Sequence, residues 1–399
     1  MAAVSFLSRD VSELCLGKPA LRSLPISATV AEALSALKRS GERCISIWSS
    51  ERLPRTRSSA DFDGEYRCVG KVCMVDVICF LCRSENLLHP SIALQSPVSV
   101  LLPKVHGLVR HLEPQSSLLE AIDHIIEGAQ NLVVPAQNHT SIISGGKKLL
   151  DKPPSFGYTL HQGREFCWLT QEDVIRFFVN SITTFSPIPT FAIGSLNMID
   201  TNIMTVHYHD PASSALPFIS HALTQQTSIA VIDDDSKLIG EISPLTLSCC
   251  DETASAAIAT LSAGELMAYI DCGDPPEDLV QLVKARLGHK NLRRMLEFME
   301  EISLAASSSS PVCSSDDEFG PGSNRYNSMR GSGAIVCHSW SSLMAVMIQA
   351  ITHRVNYVWV VEEDHTLVGT VTFAGILKVF RRIAGVWATH ELISDSETG

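Results

Sequence analysis

Four times the chain closes a hydrophobic stretch with nearly the same six residues. They are Cys68-Val69-Gly70-Lys71-Val72-Cys73, Glu165-Phe166-Cys167-Trp168-Leu169-Thr170, Leu238-Ile239-Gly240-Glu241-Ile242-Ser243 and Leu367-Val368-Gly369-Thr370-Val371-Thr372. Each block is an alternating strand with a Gly near its start, Cys167 being the exception, and a small polar residue at its end. An internal repeat constrains a fold more tightly than a single motif does. One supersecondary unit must then stack on its own copies to bury its apolar face.

The same pattern precedes each block. In the fourth copy residues 341–352 read as an amphipathic helix, with Leu343, Val346, Met347 and Ile351 near one face. Residues 357–361 follow as a strand and 362–365 as a turn. The third copy offers a helix over 213–223, a strand over 229–232 and a turn over 233–236. The first offers 29–38 and 44–48, the second 117–127 and 132–134. After each block the helical period returns, as in residues 375–380. The residue pattern therefore predicts helix, strand, strand, helix, four times over.

Insertions separate the copies. Copy one holds a polar loop over 49–66, where Arg52, Arg55 and Arg57 oppose Asp61 and Asp63; copy two holds a longer one over 137–163. Between copies three and four, residues 254–270 and 276–302 each read as one helix. Pro276 and Glu277 suit the start of the second. The Ser- and Gly-rich stretch 303–333 is predicted to be disordered.

Composition narrows the class. With 399 residues, 45% apolar and 19% charged, the chain can bury substantial cores. A net charge of -12 argues against a nucleic-acid partner, which needs a basic face. The twelve cysteines form no regular framework, and several sit inside apolar runs. Buried reduced thiols fit best, so an intracellular location, cytoplasmic or nuclear, is expected. Arg9, Asp10 and Glu13 interrupt any secretory signal. Pro187, Pro189 and Gly194 break the uncharged run 177–199, so no membrane association is expected.

Catalytic and metal motifs are thin. Cys79 and Cys82 have metal-like spacing but no second pair, and they read as core thiols. His207 and His209 share a strand face without a third ligand. Residues 144–148 lack the spacing of a phosphate-binding loop. No nucleophile elbow or paired carboxylate suggests an enzyme.

The blocks, with a Thr or Ser at the strand end and an Asp three residues on, resemble the CBS domain. That family implies an α+β fold of β-α-β-β-α repeats paired into two Bateman modules. The resemblance places repeat 1 at 8–90, repeat 2 at 95–185, repeat 3 at 195–250 and repeat 4 at 334–385. A helical insertion at 251–302 and the linker at 303–333 complete the chain. The four-copy plan is similar to the γ regulatory subunits of AMP-activated and SNF1-type kinases. Residues 101–104, 249–253, 261–264 and 353–357 resemble the plant CBSX group of four-CBS proteins.

In nucleotide-binding members of the family the hydroxyl and the Asp bind ribose or phosphate. Copy two keeps both, as Thr170 and Asp173. Copy one keeps Asp76 but has Cys73 at the hydroxyl position. Copy three keeps Ser243 but has Thr246 for Asp; copy four keeps Thr372 but has Gly375. Family members also carry a phosphate-binding Arg at the opening of the first strand. Arg43 stands there in copy one, against Asn131, Ser228 and Tyr357 in the others. Each Thr or Ser serves equally as a helix N-cap, the preferred reading for copies three and four. The resemblance implies a regulatory protein without catalysis or a catalytic cofactor. It would bind AMP, ADP or ATP weakly, mainly through its first module, and modulate a protein partner of the kinase type. A scaffold that binds its partner without ligand control, or a γ-like kinase subunit, is the alternative. In the linker Ser314, Ser315 and Ser328 stand in phosphorylation contexts. Lys284, Arg286, Lys290, Arg293 and Arg294 make one insert helix basic, a solvated face or a dock for an acidic partner.

Overall fold

The structure, a computed structural model, describes residues 2–49, 67–105, 107–136, 164–271, 275–308 and 333–397. Among these described residues twelve strands form four three-stranded sheets. The first holds β1 (Ser23–Pro25), β2 (Cys44–Ser49) and β3 (Arg67–Cys73). The second holds β4 (Val109–His111), β5 (Asn131–Pro135) and β6 (Phe166–Thr170). The third holds β7 (Thr205–His207), β8 (Ile229–Ile232) and β9 (Leu238–Ile242). The fourth holds β10 (Val336–Cys337), β11 (Tyr357–Val361) and β12 (Leu367–Thr372). In each sheet the first pair is parallel and the second antiparallel. A parallel pair needs a crossover, and a helix supplies it every time. The leading strands span two or three residues, too few to leave a periodic trace in the sequence.

Capping fixes where three crossover helices begin. Thr29 and Glu32 form a reciprocal capping box ahead of Val30–Ser40. Ser117 accepts from the Glu120 N–H at 3.1 Å and Ser342 from the Ala345 N–H at 3.3 Å. The third crossover helix, Leu216–Gln225, starts on a proline at its first turn instead.

Three of the four sheets carry a bulge just before the Gly of the repeated block. Val69, Ile239 and Val368 are skipped in the pairing with β2, β8 and β11. At those glycines a side chain would collide with a neighbour. A Cβ on Gly70 would lie 2.7 Å from a Leu102 methyl, and one on Gly369 would lie 2.5 Å from the Asp200 carbonyl oxygen. The second sheet has no bulge, and there Cys167 pairs directly with Val134.

Two cores hold the repeats together. One joins the helical sides of repeats 2 and 4, including Phe178, Phe185, Trp359 and Phe380. The other joins repeats 1 and 3 to the insert helices, including Val75, Ile78, Ile258 and Met295. The sheets pair differently. Trp48, Cys68, Val133 and Phe166 pack sheet one on sheet two. Glu241 of β9 joins sheet three to sheet four by accepting from Tyr357 and Trp359 of β11. The sheets thus form two modules, repeats 1–2 and repeats 3–4, and the helices join the modules.

Three readings of the sequence need correction. Residues 6–15, counted from position 8 in repeat 1, pack on repeat 2, with Val11 N–H bonded to the Ser116 carbonyl at 2.9 Å. Each insert helix is two helices: Ala254–Thr260 and Ala263–Asp271, then Glu277–His289 and Arg293–Ser308. Leu261 is extended and Ser262 caps the next helix with Glu265; Asn291 turns left-handed at φ 56°. Finally, helix continues through residues 303–308, at the start of the stretch expected to be disordered. Residues 309–332, with Ser314, Ser315 and Ser328, lie outside the described residues, as do 144–148 and most of both polar loops.

Candidate ligand clefts between paired sheets

Each repeated block ends where a helix begins, so its last side chain sits at a helix N-terminus facing the paired repeat. In the first module these places are filled by the protein itself. Thr170 and Asp173 form a capping box: Thr170 N–H and Oγ1–H both donate to Asp173 Oδ2 at 2.7 Å. Lys18, from the segment before β1, adds an ion pair to the same oxygen and donates to the Trp168 carbonyl at 2.9 Å. Opposite Thr170, Asn131 accepts from Lys71 Nζ of repeat 1 at 2.5 Å. Asp76 accepts from the Cys73 N–H at 2.7 Å, and burial pushes its carboxyl up from the usual range. Both Asp residues read as nucleotide contacts are thus engaged as helix caps.

Arg43 lies elsewhere than the sequence comparison implied. Strand register sets Cys44 opposite Cys73, as it sets Asn131 opposite Thr170 and Tyr357 opposite Thr372. Arg43 falls one residue short, before the strand, and is exposed. A shift of one residue turns a strand side chain to the other face, so Arg43 does not share the placement of Asn131 and Tyr357.

In the second module the two ends differ. Ser243 is buried, accepts from the Leu245 N–H at 3.2 Å and lies 3.2 Å from the Tyr357 hydroxyl. Tyr357 itself donates to Glu241 Oε1 at 2.9 Å, and the Trp359 indole N–H to Oε2 at 2.7 Å. Burial and the Glu241 charge raise the Tyr357 hydroxyl well above its ordinary pKa, so it stays a donor. This end is closed.

The Thr372 end is open. A cleft of about 1190 Å³ reaches from Thr372 and Gly375 to Asp200, Phe218 and Thr227, and Trp359 lines it too. Thr372 Oγ1 accepts from the Gly375 N–H at 3.1 Å. Where an Asp side chain would begin, at Gly375, the nearest groups are Thr372 Oγ1 at 3.4 Å and the Met198 carbonyl oxygen at 3.8 Å. The missing carboxylate leaves space. Thr227 Oγ1 is buried and makes no hydrogen bond among the described residues. Lys378 and Arg382, one turn apart on Phe373–Glu397, are exposed at the cleft, as is His221. In a chain of net charge -12 this is a local cationic edge.

Of the six residues singled out from sequence, Thr170, Asp173 and Asp76 are bound up internally, Ser243 is sealed, Arg43 is outside, and Thr372 lines the cleft. The sequence reading missed Lys378, Arg382, Asp200 and Thr227. The spacing of Lys378 and Arg382 on the helix after Thr372 was the available signal. The family pattern instead places its cation at the opening of a strand, where Arg43 stands in the sequence.

Other candidates resolve structurally. Among the described residues no cluster of His, Cys, Asp and Glu is suited to a metal. Cys82 is buried and Cys79 lies on the same apolar helix, its thiol pushed up to about 12 by burial. Two of the five basic insert residues are engaged within the insert: partly exposed Arg286 makes a two-pronged pair with Glu265 at 2.6 and 2.9 Å, and exposed Lys290 donates to the Ala259 carbonyl at 2.7 Å. No helix among the described residues is long and apolar enough to cross a membrane.

Comparison with known proteins follows the same lines. No family model matches the chain. The CBS domain-containing protein CBSX5 of Arabidopsis thaliana is 48% identical over 396 residues, covering 95% of this chain and 98% of that protein. The chain belongs to the CBS-domain-containing proteins. CBSX6 of the same plant is 28% identical, covering 94% of each chain. The SNF1-related protein kinase regulatory subunit gamma-like PV42b, also from Arabidopsis, is 21% identical over 93% of this chain and 94% of that one. The crystal structure of MJ1225 from Methanocaldococcus jannaschii, described as a putative archaeal homolog of γ-AMPK, superposes with a TM-score of 0.53 at 12% identity. It covers 93% of this chain and 99% of the archaeal one, and supports the fold. The four CBS repeats and their pairing are therefore established from sequence kinship and architecture together.

Proposed function

We propose that this CBS-domain protein is a non-catalytic regulator whose ligand cleft lies in its second module, at Thr372. The observation that carries the reading is the open cleft itself, with hydroxyls at Thr372 and Thr227, apolar walls at Phe218 and Trp359, and cations at Lys378 and Arg382. Hydroxyl and carbonyl groups suit a ribose, the apolar walls a base, and the cations a phosphate. That combination suits a nucleotide, and the adenosine type, AMP, ADP or ATP, is the one the CBS resemblance implies. The open cleft supports a main site in the second module in place of the first, which the sequence signature favours. Thr170 and Asp173 then act as a site held shut by Lys18.

Binding across paired sheets shifts the module only by its differential affinity for two arrangements. The output is a change in contact with a protein partner, and the kinship with a γ-like kinase subunit supports a kinase complex. A ligand-independent scaffold is the second reading. The three other block ends, occupied by the protein's own residues, favour it for those parts of the chain.

Titration calorimetry of the full chain with AMP, ATP and S-adenosylmethionine tests the proposal. Saturable nucleotide binding is expected, weakened about tenfold or more by Lys378→Glu, since a cation on a phosphate is worth about 1.5–3 kcal/mol. No saturable signal at millimolar ligand contradicts it. Recovery of partner proteins that is identical with and without nucleotide leaves the scaffold reading in place.

A further inference from the structure

The two modules treat one corresponding place in opposite ways. In each, the chain entering the odd-numbered repeat runs beside the repeated block of the even-numbered one. In the first module the Leu21 N–H bonds to the Phe166 carbonyl at 2.7 Å; in the second, Asp200 and Thr370 exchange backbone hydrogen bonds of 2.9 Å in both directions. Trp168 and Thr370 hold the same position, two residues before the end of their blocks. In the first module the entering segment brings a cation to this place. Lys18 donates to the Trp168 carbonyl and pairs with Asp173, three residues past the block. In the second module the entering segment brings an acid, Asp200, and the position three residues past the block is Gly375. The carboxylate is missing from the helix and one stands on the entering segment instead.

Asp200 is exposed and lines the open cleft together with Thr372, Gly375 and Lys378. Its backbone is fixed on both sides by Thr370, so its side chain starts from a defined point. That side chain is half engaged. Oδ1 accepts from the Asn202 N–H at 2.9 Å, and Oδ2 makes no hydrogen bond among the described residues. Arg382, at the same cleft, donates to the Leu196 carbonyl at 3.4 Å rather than to this carboxylate.

We propose, on the basis of the nucleotide reading above, that Asp200 is the sugar-binding carboxylate of the second module, accepting a ribose hydroxyl through Oδ2 in place of the acid missing at Gly375. A carboxylate only accepts, so its ligand must bring hydrogens; ribose hydroxyls do and a phosphate does not. The same charge repels phosphate, which is thereby directed to Lys378 and Arg382 on the helix Phe373–Glu397. The cleft therefore reads the sugar as well as the phosphate. It selects ribonucleotides over analogues that lack the hydroxyls, because without them the acceptor loses its partner.

Titration calorimetry of the full chain with AMP and with dideoxy-AMP, which lacks both sugar hydroxyls, tests the assignment. The unaltered protein is expected to bind AMP about tenfold more tightly, the worth of a hydrogen bond to a charged group. Asp200→Asn keeps an Oδ1 for the Asn202 N–H, and with it the local turn, but puts an amide donor in place of the second oxygen. It is expected to weaken AMP about tenfold and to leave dideoxy-AMP as it was, which also shows that the cleft is intact. Adding Gly375→Asp to Asp200→Asn returns a carboxylate to the helix and is expected to restore the preference for AMP. A preference that persists in Asp200→Asn, or equal binding of both ligands by the unaltered protein, overturns the role of Asp200 and leaves the nucleotide cleft standing. No saturable binding of AMP by the unaltered protein overturns both.

Discussion

At the scale of single residues, the fold uses side chains for two purposes that look alike in a sequence. Thr170 and Asp173 carry the full signature of a nucleotide contact, yet in place they cap a helix and hold Lys18. Gly375 reads as a loss and instead opens the cleft. A carboxylate fits there, because a Cβ would meet only ordinary contacts at 3.4 and 3.8 Å. Gly375→Asp is therefore expected to stabilise the following helix by about 1 kcal/mol and to tighten AMP binding about tenfold. Thermal unfolding and titration calorimetry read the two effects; unchanged affinity would place the ribose elsewhere. His111 gives a pH dependence. It sits against Trp48 and Phe166, and its Nε2 accepts from the Cys68 N–H at 3.2 Å. Burial first, then the Arg67 charge, lower its pKa from 6.5 to about 4. The unfolded chain thus takes up the proton first, so the contribution is complete above pH 6.5 and is lost as pH falls toward 4. Urea titrations are expected to show about 2–3 kcal/mol of that loss in this window, and His111→Gln to abolish it.

At the scale of elements, the sequence was most legible where period and caps agree. The strand 357–361 was read to the residue, and Thr29 and Ser117 marked two helix starts, while the fourth-copy helix, read from Ser341, has its cap one residue later at Ser342. The leading strands were invisible in the residue pattern because two or three residues carry no period. The insert helices were read as continuous, although Ser262 and Glu265 spell a capping box that marks a new start. That box has a second function: Glu265 also takes both prongs of Arg286, and the hydrogen bonds from that guanidinium are the main cause of its pKa falling to about 2. A depressed carboxylate stabilises the fold above its unfolded pKa of 4.5 and loses that contribution as pH falls toward 2. Both groups are about one-third exposed, so screening holds the effect to about 1 kcal/mol. Arg286→Gln is expected to remove this acid-side slope in chemical denaturation; an unchanged slope would assign it to other carboxylates. Strand register, which depends on pairing partners distant in the chain, could not be read from one sequence. Arg43 was misplaced by one residue for that reason.

At the scale of the whole molecule, four similar units have become unequal. Sheets pair repeat 1 with 2 and repeat 3 with 4, while helices pair 1 with 3 and 2 with 4. Each repeat is thus held on two sides. Across the helical joints, Lys38 of repeat 1 reaches Glu252 of the insertion at 2.6 Å, and Arg381 of repeat 4 reaches Asp123 of repeat 2 at 2.6 Å. Three block ends were closed with the protein's own side chains, and one was left open. The repeat is legible in the sequence; the inequality is not, because it depends on what the neighbouring unit inserts. The most direct measurement is photolabelling of the full chain with azido-AMP, followed by mapping of the labelled peptides. Label is predicted within residues 197–228 or 359–382, displaced by unlabelled AMP and lost in Lys378→Glu. Displaceable label centred on residues 164–173, or none at all, would contradict the account.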